Sequence, residues 1–496
     1  MFKSVAGGAL IISFFTLIAK LLGFAREIII ANYFGTSWRY DAVLIALTPA
    51  IAITTIFSTG ISNAFIPVYH KLKAEGNNKN KVYVQSFLFF ISIINLFFGL
   101  TLLLFPKFYI KIFAPGFSDE VINYATKSLI VLSIFPLISG AYNILQTLLR
   151  AERKFFEYSF SQLIFNIVFI PLLILFAPLI NEQAYVVSWV IGNIFILLIS
   201  IFFTKEYLKK SHFDFHIIKN TFKLAIPIIL ATTTSEINKI IDKAFVSYLP
   251  SGRISSLQYA NTLLSFLNIF IVAFLTSSYT ELSEYVTSNN LEAAKNRMRK
   301  TIKSSLNIAI PIVAWIVIMS NGFISFVFQR GNFNEESVRL VSIALIGYSG
   351  LLLILPINSM IRYFLISSGK VFLITFMSIL SIFTNTLFDW LFIKPWGHGG
   401  ITLSTTFVAF ITAIIQILYL KRKGISFLPI KNITFNLVIV IVSALLVIYL
   451  KTTLNLNLWF ILGNLIFVII FLILARDEIK FLISKIGKEI KKKIKK

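Results

Sequence analysis

The chain has 496 residues, 57% of them hydrophobic and 14% charged, with no cysteine and a formal net charge of +25; its mean hydropathy is +0.84. Soluble domains carry about 25% charged and about 45–50% apolar residues, so a soluble enzyme, a disordered chain and a secreted disulfide scaffold are excluded. Apolar runs of the roughly 20 residues that a spanning helix needs recur from end to end, which makes the expected class an all-α polytopic membrane protein.

Fourteen helices are predicted in chain order. The first six cover 7–31, 41–70, 82–105, 119–149, 156–180 and 183–204. The next six cover 220–249, 254–285, 302–320, 336–368, 371–393 and 398–420, and the last two cover 432–450 and 456–475. The organisation expected is two six-helix lobes, 1–210 and 211–425, two extra helices within 426–476, and a basic amphipathic tail at 477–496. In the tail Ile479, Leu482, Ile483, Ile486, Ile490 and Ile494 share one helical face and lysines fill the other. Such a segment lies along anionic lipid rather than spanning it. The excess of basic residues therefore points to a membrane surface and not to nucleic acid.

Placing the N-terminus in the cytoplasm puts 32 of the 46 Lys and Arg residues on the cytoplasmic side and 8 on the outer side. That asymmetry supports two cytoplasmic termini and an even number of spans. The six remaining cations, Lys20, Arg26, Lys127, Lys239, Lys243 and Arg362, lie within apolar stretches, as do Glu27, Glu236, Asp242 and Asp389. A charge at that depth is costly and faces either a partner or a water-filled path. Lys20 and Arg26 are roughly 9 Å apart along the helix axis. With Lys239 and Arg362 they suit an anionic substrate, a diphosphate above all. Asn385 and Asp389, one turn apart, with Asp242 and the Thr405 hydroxyl, form a hard-oxygen set suited to Na⁺, the alternative being ion pairs of Asp242 with Lys239 or Asp389 with Lys394. There is no GxSxG, P-loop or HExxH motif, so neither an enzyme nor an ATP-driven pump is expected. No cofactor is expected beyond a Na⁺ coupling ion. A weak repeat relates helices one and two to seven and eight, the usual build of secondary transporters.

Several motifs resemble the MurJ (MviN) lipid II flippases, a family of the multidrug/oligosaccharidyl-lipid/polysaccharide exporter superfamily. They are Leu22-Gly-Phe-Ala-Arg-Glu27, Phe34-Gly35 and Asp41-Ala42 in the first helix and loop, then Phe57-Ser-Thr-Gly60 and Asn63-Ala-Phe-Ile-Pro67 in the second helix. Ala114-Pro-Gly-Phe117, Ser235-Glu-Ile-Asn-Lys-Ile-Ile-Asp242, Leu249-Pro-Ser-Gly-Arg253, Leu257-Gln-Tyr-Ala260 and Phe328-Gln-Arg-Gly-Asn-Phe333 follow in order. A monomer is expected. The resemblance implies a protein of the bacterial cytoplasmic membrane that moves undecaprenyl-diphosphate-linked peptidoglycan precursor outward by alternating access, and coupling to an ion or to the membrane potential is expected. The resemblance also implies Lys20, Arg26, Glu27, Asp41 and Arg362 as substrate-binding positions, to which Lys239 is added from its depth in the seventh helix, a sodium site at Asp242, Asn385, Asp389 and Thr405, and a lipid-tail groove at helices thirteen and fourteen. Thr54, Thr55, Asn261 and Thr262 stand where the family usually has charged residues. A flippase for another polyprenyl-diphosphate oligosaccharide, and a cation-coupled drug antiporter, remain as alternatives.

Overall fold

The computed structural model describes residues 5–76, 78–208 and 213–480. The amphipathic face expected in the tail lies, from residue 481 on, outside the described residues. Those described form helices and connecting turns without strands: α1 (Val5–Phe34), α2 (Trp38–Glu75), α3 (Lys79–Leu104), α4 (Pro106–Phe113), α5 (Asp119–Leu132), α6 (Phe135–Ala151), α7 (Phe155–Ile180), α8 (Gln183–Thr204) and α9 (Phe215–Val246). Then come α10 (Arg253–Leu267), α11 (Ile269–Thr287), α12 (Leu291–Phe328), α13 (Glu335–Ser349), α14 (Leu351–Ser367), α15 (Val371–Arg422), α16 (Ile430–Thr453) and α17 (Leu456–Leu474).

Each predicted segment falls on helix, with informative differences. The stretch 119–149 is two helices, α5 and α6, bent by 42°. Pro136, which has no N–H to donate, sits in the first turn of α6. The segments at 254–285 and 336–368 are likewise each two helices, parted at Asn268 and Gly350. The eleventh and twelfth predicted helices run together as α15, 52 residues with a break at Gly397 (φ 55°, ψ −135°). An unbroken helix of that length would be about 78 Å long, far beyond a bilayer core of about 30 Å, so the break divides two passes. By length and hydropathy nine stretches among the described residues can cross a membrane, ten with the α5–α6 pair taken as one span. Phe372 is 84% exposed and Leu179 72%; apolar faces of this kind need lipid as solvent.

Two compact units emerge from the packing: residues Met1–Ser256 with Phe328–Ser337, and residues Leu257–Val327 with Val338–Lys496. By contact α9 groups with the first unit, because it packs along α2 and α3. The Tyr83 and Thr221 hydroxyls are 2.8 Å apart, and Tyr83 belongs to an aromatic stack with Phe65 and Phe87. Gly116, in the Ala114–Phe117 turn, donates its N–H to Ser247 at the end of α9 (2.9 Å).

Segment 328–337 joins the first unit through the α1–α2 turn. Asn332 N–H donates to the Asn32 carbonyl at 2.9 Å. Gly35 (φ +54°) and Gly331 (φ +53°) approach the backbones of Asn332 and Asn32 so closely that a Cβ at either would collide. The Phe34-Gly35 and Phe328–Phe333 motifs are thus two halves of one clasp. In the second unit α14 packs against α11 and α15, and α16 pairs with α17.

Candidate functional site

The first unit holds most of the deep charges, and Arg26 and Lys239 are paired there with carboxylates. Arg26 Nη2 donates to Glu27 Oε1 at 2.9 Å, and Nη1 donates to the Asn166 side-chain oxygen on α7 at 3.3 Å. The guanidinium lies over Phe165 and Phe169, 5.5 and 5.4 Å from their ring centroids. Side-chain exposure is 18% for Arg26 and 2% for Glu27. A guanidinium stacked on aromatic faces and hydrogen-bonded to a carboxylate meets the conditions for burying charge. Asn166 also donates to the Ala19 carbonyl, so one amide on α7 secures α1 at two points.

Asp41 is 3% exposed. Its two carboxylate oxygens accept from the backbone N–H of Gly252 (2.6 Å) and of Ser255 (2.7 Å). Those donors belong to the first turn of α10, where N–H groups lack intrahelical partners and a negative charge is favoured. Asp41 is thus engaged in holding a helix start. Lys239 is exposed and pairs with Glu236 at 2.7 Å. Lys243 donates to Thr48 on α2 at 2.8 Å. Lys20 is exposed on α1. Thr54 is buried, its hydroxyl bonded to the Ala50 carbonyl and to Ser139.

The second unit holds a cavity of ≈ 340 Å³. Asn261, Ser265 and Asn268 line it from the α10–α11 stretch, and Asn358, Ser359 and Arg362 line it from α14. Arg362 is exposed and makes no ion pair among the described residues. Asn358 donates to the Ala409 carbonyl at 3.3 Å, while the side-chain oxygens of Asn268 and Asn358 are buried without partners among the described residues. The cavity therefore offers a planar cationic donor for a phosphate and amide oxygens for hydroxyl or N–H donors. Of the six predicted substrate positions, Arg362 alone lies on it. The lining amides escaped the sequence reading, yet 261, 265 and 268 are spaced i, i+4, i+7 and 358 and 362 i, i+4, one polar stripe per helix.

The predicted sodium ligands divide between the units: Asp242 in the first, Asn385, Asp389 and Thr405 in the second. Asn385 (2% exposed) donates its amide N–H to Asp389 (0% exposed) at 3.0 Å. The Thr405 hydroxyl donates to the Ile401 carbonyl at 3.1 Å. Among the described residues no three acids or histidines cluster as a metal site.

A family model described as lipid II flippase MurJ matches residues 30–471. The probable lipid II flippase MurJ of Aquifex aeolicus is 26% identical over 494 residues, 97% of this chain and 97% of that protein. The lipid II flippase MurJ of Thermosipho africanus is 28% identical over 483 residues, 95% and 96% of the two chains. Among solved structures, lipid II flippase MurJ in an inward closed conformation superposes with a TM-score of 0.82 at 23% identity, covering 96% of this chain and all of that one. An inward-facing multidrug resistance MATE family transporter of the MOP superfamily gives 0.71 at 13% identity, covering 82% and 94%.

Proposed function

The chain belongs to the MurJ lipid II flippase family, and on that premise we propose that the Arg362 cavity receives the diphosphate–sugar head of lipid II as the protein carries it across the membrane. It is a multi-pass transporter of the bacterial inner membrane, not an enzyme. The observation that carries the site is the ≈ 340 Å³ cavity, where, among the described residues, Arg362 has no ion-pair partner and the Asn268 and Asn358 oxygens have no donor. A diphosphate takes the guanidinium; sugar hydroxyls and acetamido N–H groups take the Asn268 and Asn358 oxygens. Charge-assisted hydrogen bonds of this kind contribute roughly 1.5–3 kcal/mol each. Movement is outward by alternating access, and the 32-to-8 division of basic residues supports cytoplasmic placement of both termini.

Coupling to Na⁺ is part of the same proposal. Its support is the bonded Asn385–Asp389 pair, with the Thr405 hydroxyl beyond the Gly397 break of the same long helix. Stabilisation of the purified protein by Na⁺ over K⁺, lost in Asp389→Ala, is the expected result; equal melting curves in the two salts would leave the membrane potential or protons as the drive.

The substrate is tested by complementation in a bacterium depleted of its own lipid II flippase. Wild type should restore growth and Arg362→Ala should not, with both present in the membrane at equal level. Failure of a well-inserted wild type would turn the reading to another polyprenyl-diphosphate oligosaccharide.

A further inference from the structure

A second cavity in unit two, of ≈ 280 Å³, shares no lining residue with the first. Arg297 and Lys300 line it from α12, Asp477 and Glu478 from just beyond α17, and Phe274 from α11. Both flanking helices change character there. α12 is charged through Lys303 and apolar from Leu306, and α17 is apolar up to Leu474. The cavity thus lies where two spanning helices pass from apolar to charged sequence, the depth of phospholipid headgroups.

Its charges are only partly partnered. Glu478 is 5% exposed. One of its oxygens accepts from the Asn307 amide at 3.1 Å, and Asn307 in turn accepts from Asn436 at 2.7 Å. The other Glu478 oxygen is buried with no partner among the described residues. Arg297 pairs with Glu281 at 3.2 Å, yet its Nε is buried without a partner among the described residues. A buried carboxylate held only by a neutral amide is costly, and a buried unpaired polar atom calls for a ligand or a functional reason. Two cations on one wall and two carboxylates on another select a ligand that carries both charges. A purely anionic headgroup would meet Asp477 and Glu478; a lone metal cation would meet Arg297 and Lys300.

We propose that this cavity binds the phosphoethanolamine headgroup of a membrane phospholipid, with the phosphate on Arg297 and Lys300 and the primary ammonium on Glu478 and Asp477. The site is separate from the flipped substrate, and it is built from the residues that join α17 to the tail.

The test is lipid retention by the full-length protein in native mass spectrometry after equilibration with mixed micelles of phosphatidylethanolamine, phosphatidylglycerol or phosphatidylcholine. Phosphatidylethanolamine should be retained about tenfold or more over the other two, because neither a glycerol headgroup nor a trimethylammonium can donate N–H to Glu478. Glu478→Gln, which keeps the Asn307 contact, should erase that preference, and Lys300→Gln should weaken retention of phosphatidylethanolamine by a similar factor. Soluble glycerophosphoethanolamine in excess should displace the lipid if the headgroup is what is recognised; failure to displace would overturn headgroup recognition. Equal retention of the three lipids by wild type, or an unchanged preference in Glu478→Gln, would overturn the site. Should Glu478→Gln fail to fold, the Lys300→Gln result decides: unchanged retention refutes the proposal.

Discussion

Arg26 and Arg362 both stand within apolar helices, and the two units use them in opposite ways. In the first unit Arg26 has a carboxylate on the adjoining residue, an amide from α7 and two phenylalanine faces around it. In the second Arg362 faces a cavity with serines and asparagines and no carboxylate partner among the described residues. The residue type is the same; the neighbours differ, and with them how far each charge is already partnered. The first unit repeats this pattern with Asp41, Lys239 and Lys243, each of which has a protein partner.

The sharpest way to break the comparison is to remove one member of the Arg26–Glu27 pair. Glu27→Gln leaves a guanidinium that is mostly buried without its counter-charge, and breaking such a pair costs about 3–5 kcal/mol. The expected outcome is a large loss of thermal stability and yield in detergent, partly recovered in the double variant Arg26→Gln/Glu27→Gln. An unchanged melting curve for Glu27→Gln would mean that the pair does not hold the first unit together.

Arg362→Ala should do the reverse. Thermal stability should stay within about 0.5 kcal/mol of wild type, as for other exposed side chains, while flipping is lost with the roughly 1.5–3 kcal/mol of charge-assisted binding. A proteoliposome assay of lipid II accessibility, run beside the melting curves, separates the two arginines. Arg362→Lys should fall between, since an ammonium lacks the planar fork. If Arg362→Ala flips normally, the cavity is not the substrate's.

Much of this was legible in the sequence, and what was not has physical reasons. Helix positions followed from apolar runs, because lipid demands them of every span. Arg362 could be singled out because it interrupts such a run. The Arg26–Glu27 bond could not be read, since neighbours on an ideal helix point about 100° apart and the guanidinium is also held by Asn166, Phe165 and Phe169 of α7, far away in sequence. Asp41 meets Gly252 and Ser255 across more than 200 residues of chain, and no spacing rule reaches that far. The membership of α9 in the first unit rests on tertiary contacts such as Tyr83–Thr221. The polar stripe at 261, 265 and 268 has helical spacing, but neutral amides and hydroxyls interrupt apolar helices far more cheaply than a charge does and so mark a site less sharply.

Asp41 offers a smaller test of the first unit's structural use of charge. Asp41→Ala strips the acceptors from two N–H groups at the start of α10, worth about 1–2 kcal/mol by analogy with helix caps. Asp41→Asn keeps one acceptor oxygen and should lose about half as much. Trypsin cleavage after Arg253, in the same turn, should quicken in the order wild type, Asn, Ala. Equal cleavage rates would show that the turn is held by something else, the 3.9 Å approach of Arg253 to Glu336 being the first candidate.

The smallest expected effect lies at the polar end of the first unit, outside the membrane-spanning stretches. Glu152 follows α6 and accepts from Lys73 at 2.6 and 2.7 Å and from the Tyr69 hydroxyl. Burial pushes its carboxyl up, but the hydrogen bonds from Lys73 and Tyr69 and the lysine's charge outweigh this and hold it below its ordinary value. A carboxyl depressed in the folded state binds its proton more readily when unfolded. Its contribution is therefore complete above the unfolded value, about 4.3, and is lost as pH falls through the lower folded value. The Lys73 side chain is 47% exposed, so solvent screens the pair and the contribution stays below about 1 kcal/mol. Melting curves between pH 7 and pH 3 should show a downward slope in acid that is shallower in Glu152→Gln. Tyr69→Phe should soften the slope by less, since it removes one neutral donor and leaves the ammonium in place. If Glu152→Gln melts along the wild-type curve at every pH, the acid sensitivity belongs to another carboxylate, and Glu152 serves only to orient Lys73 and Tyr69.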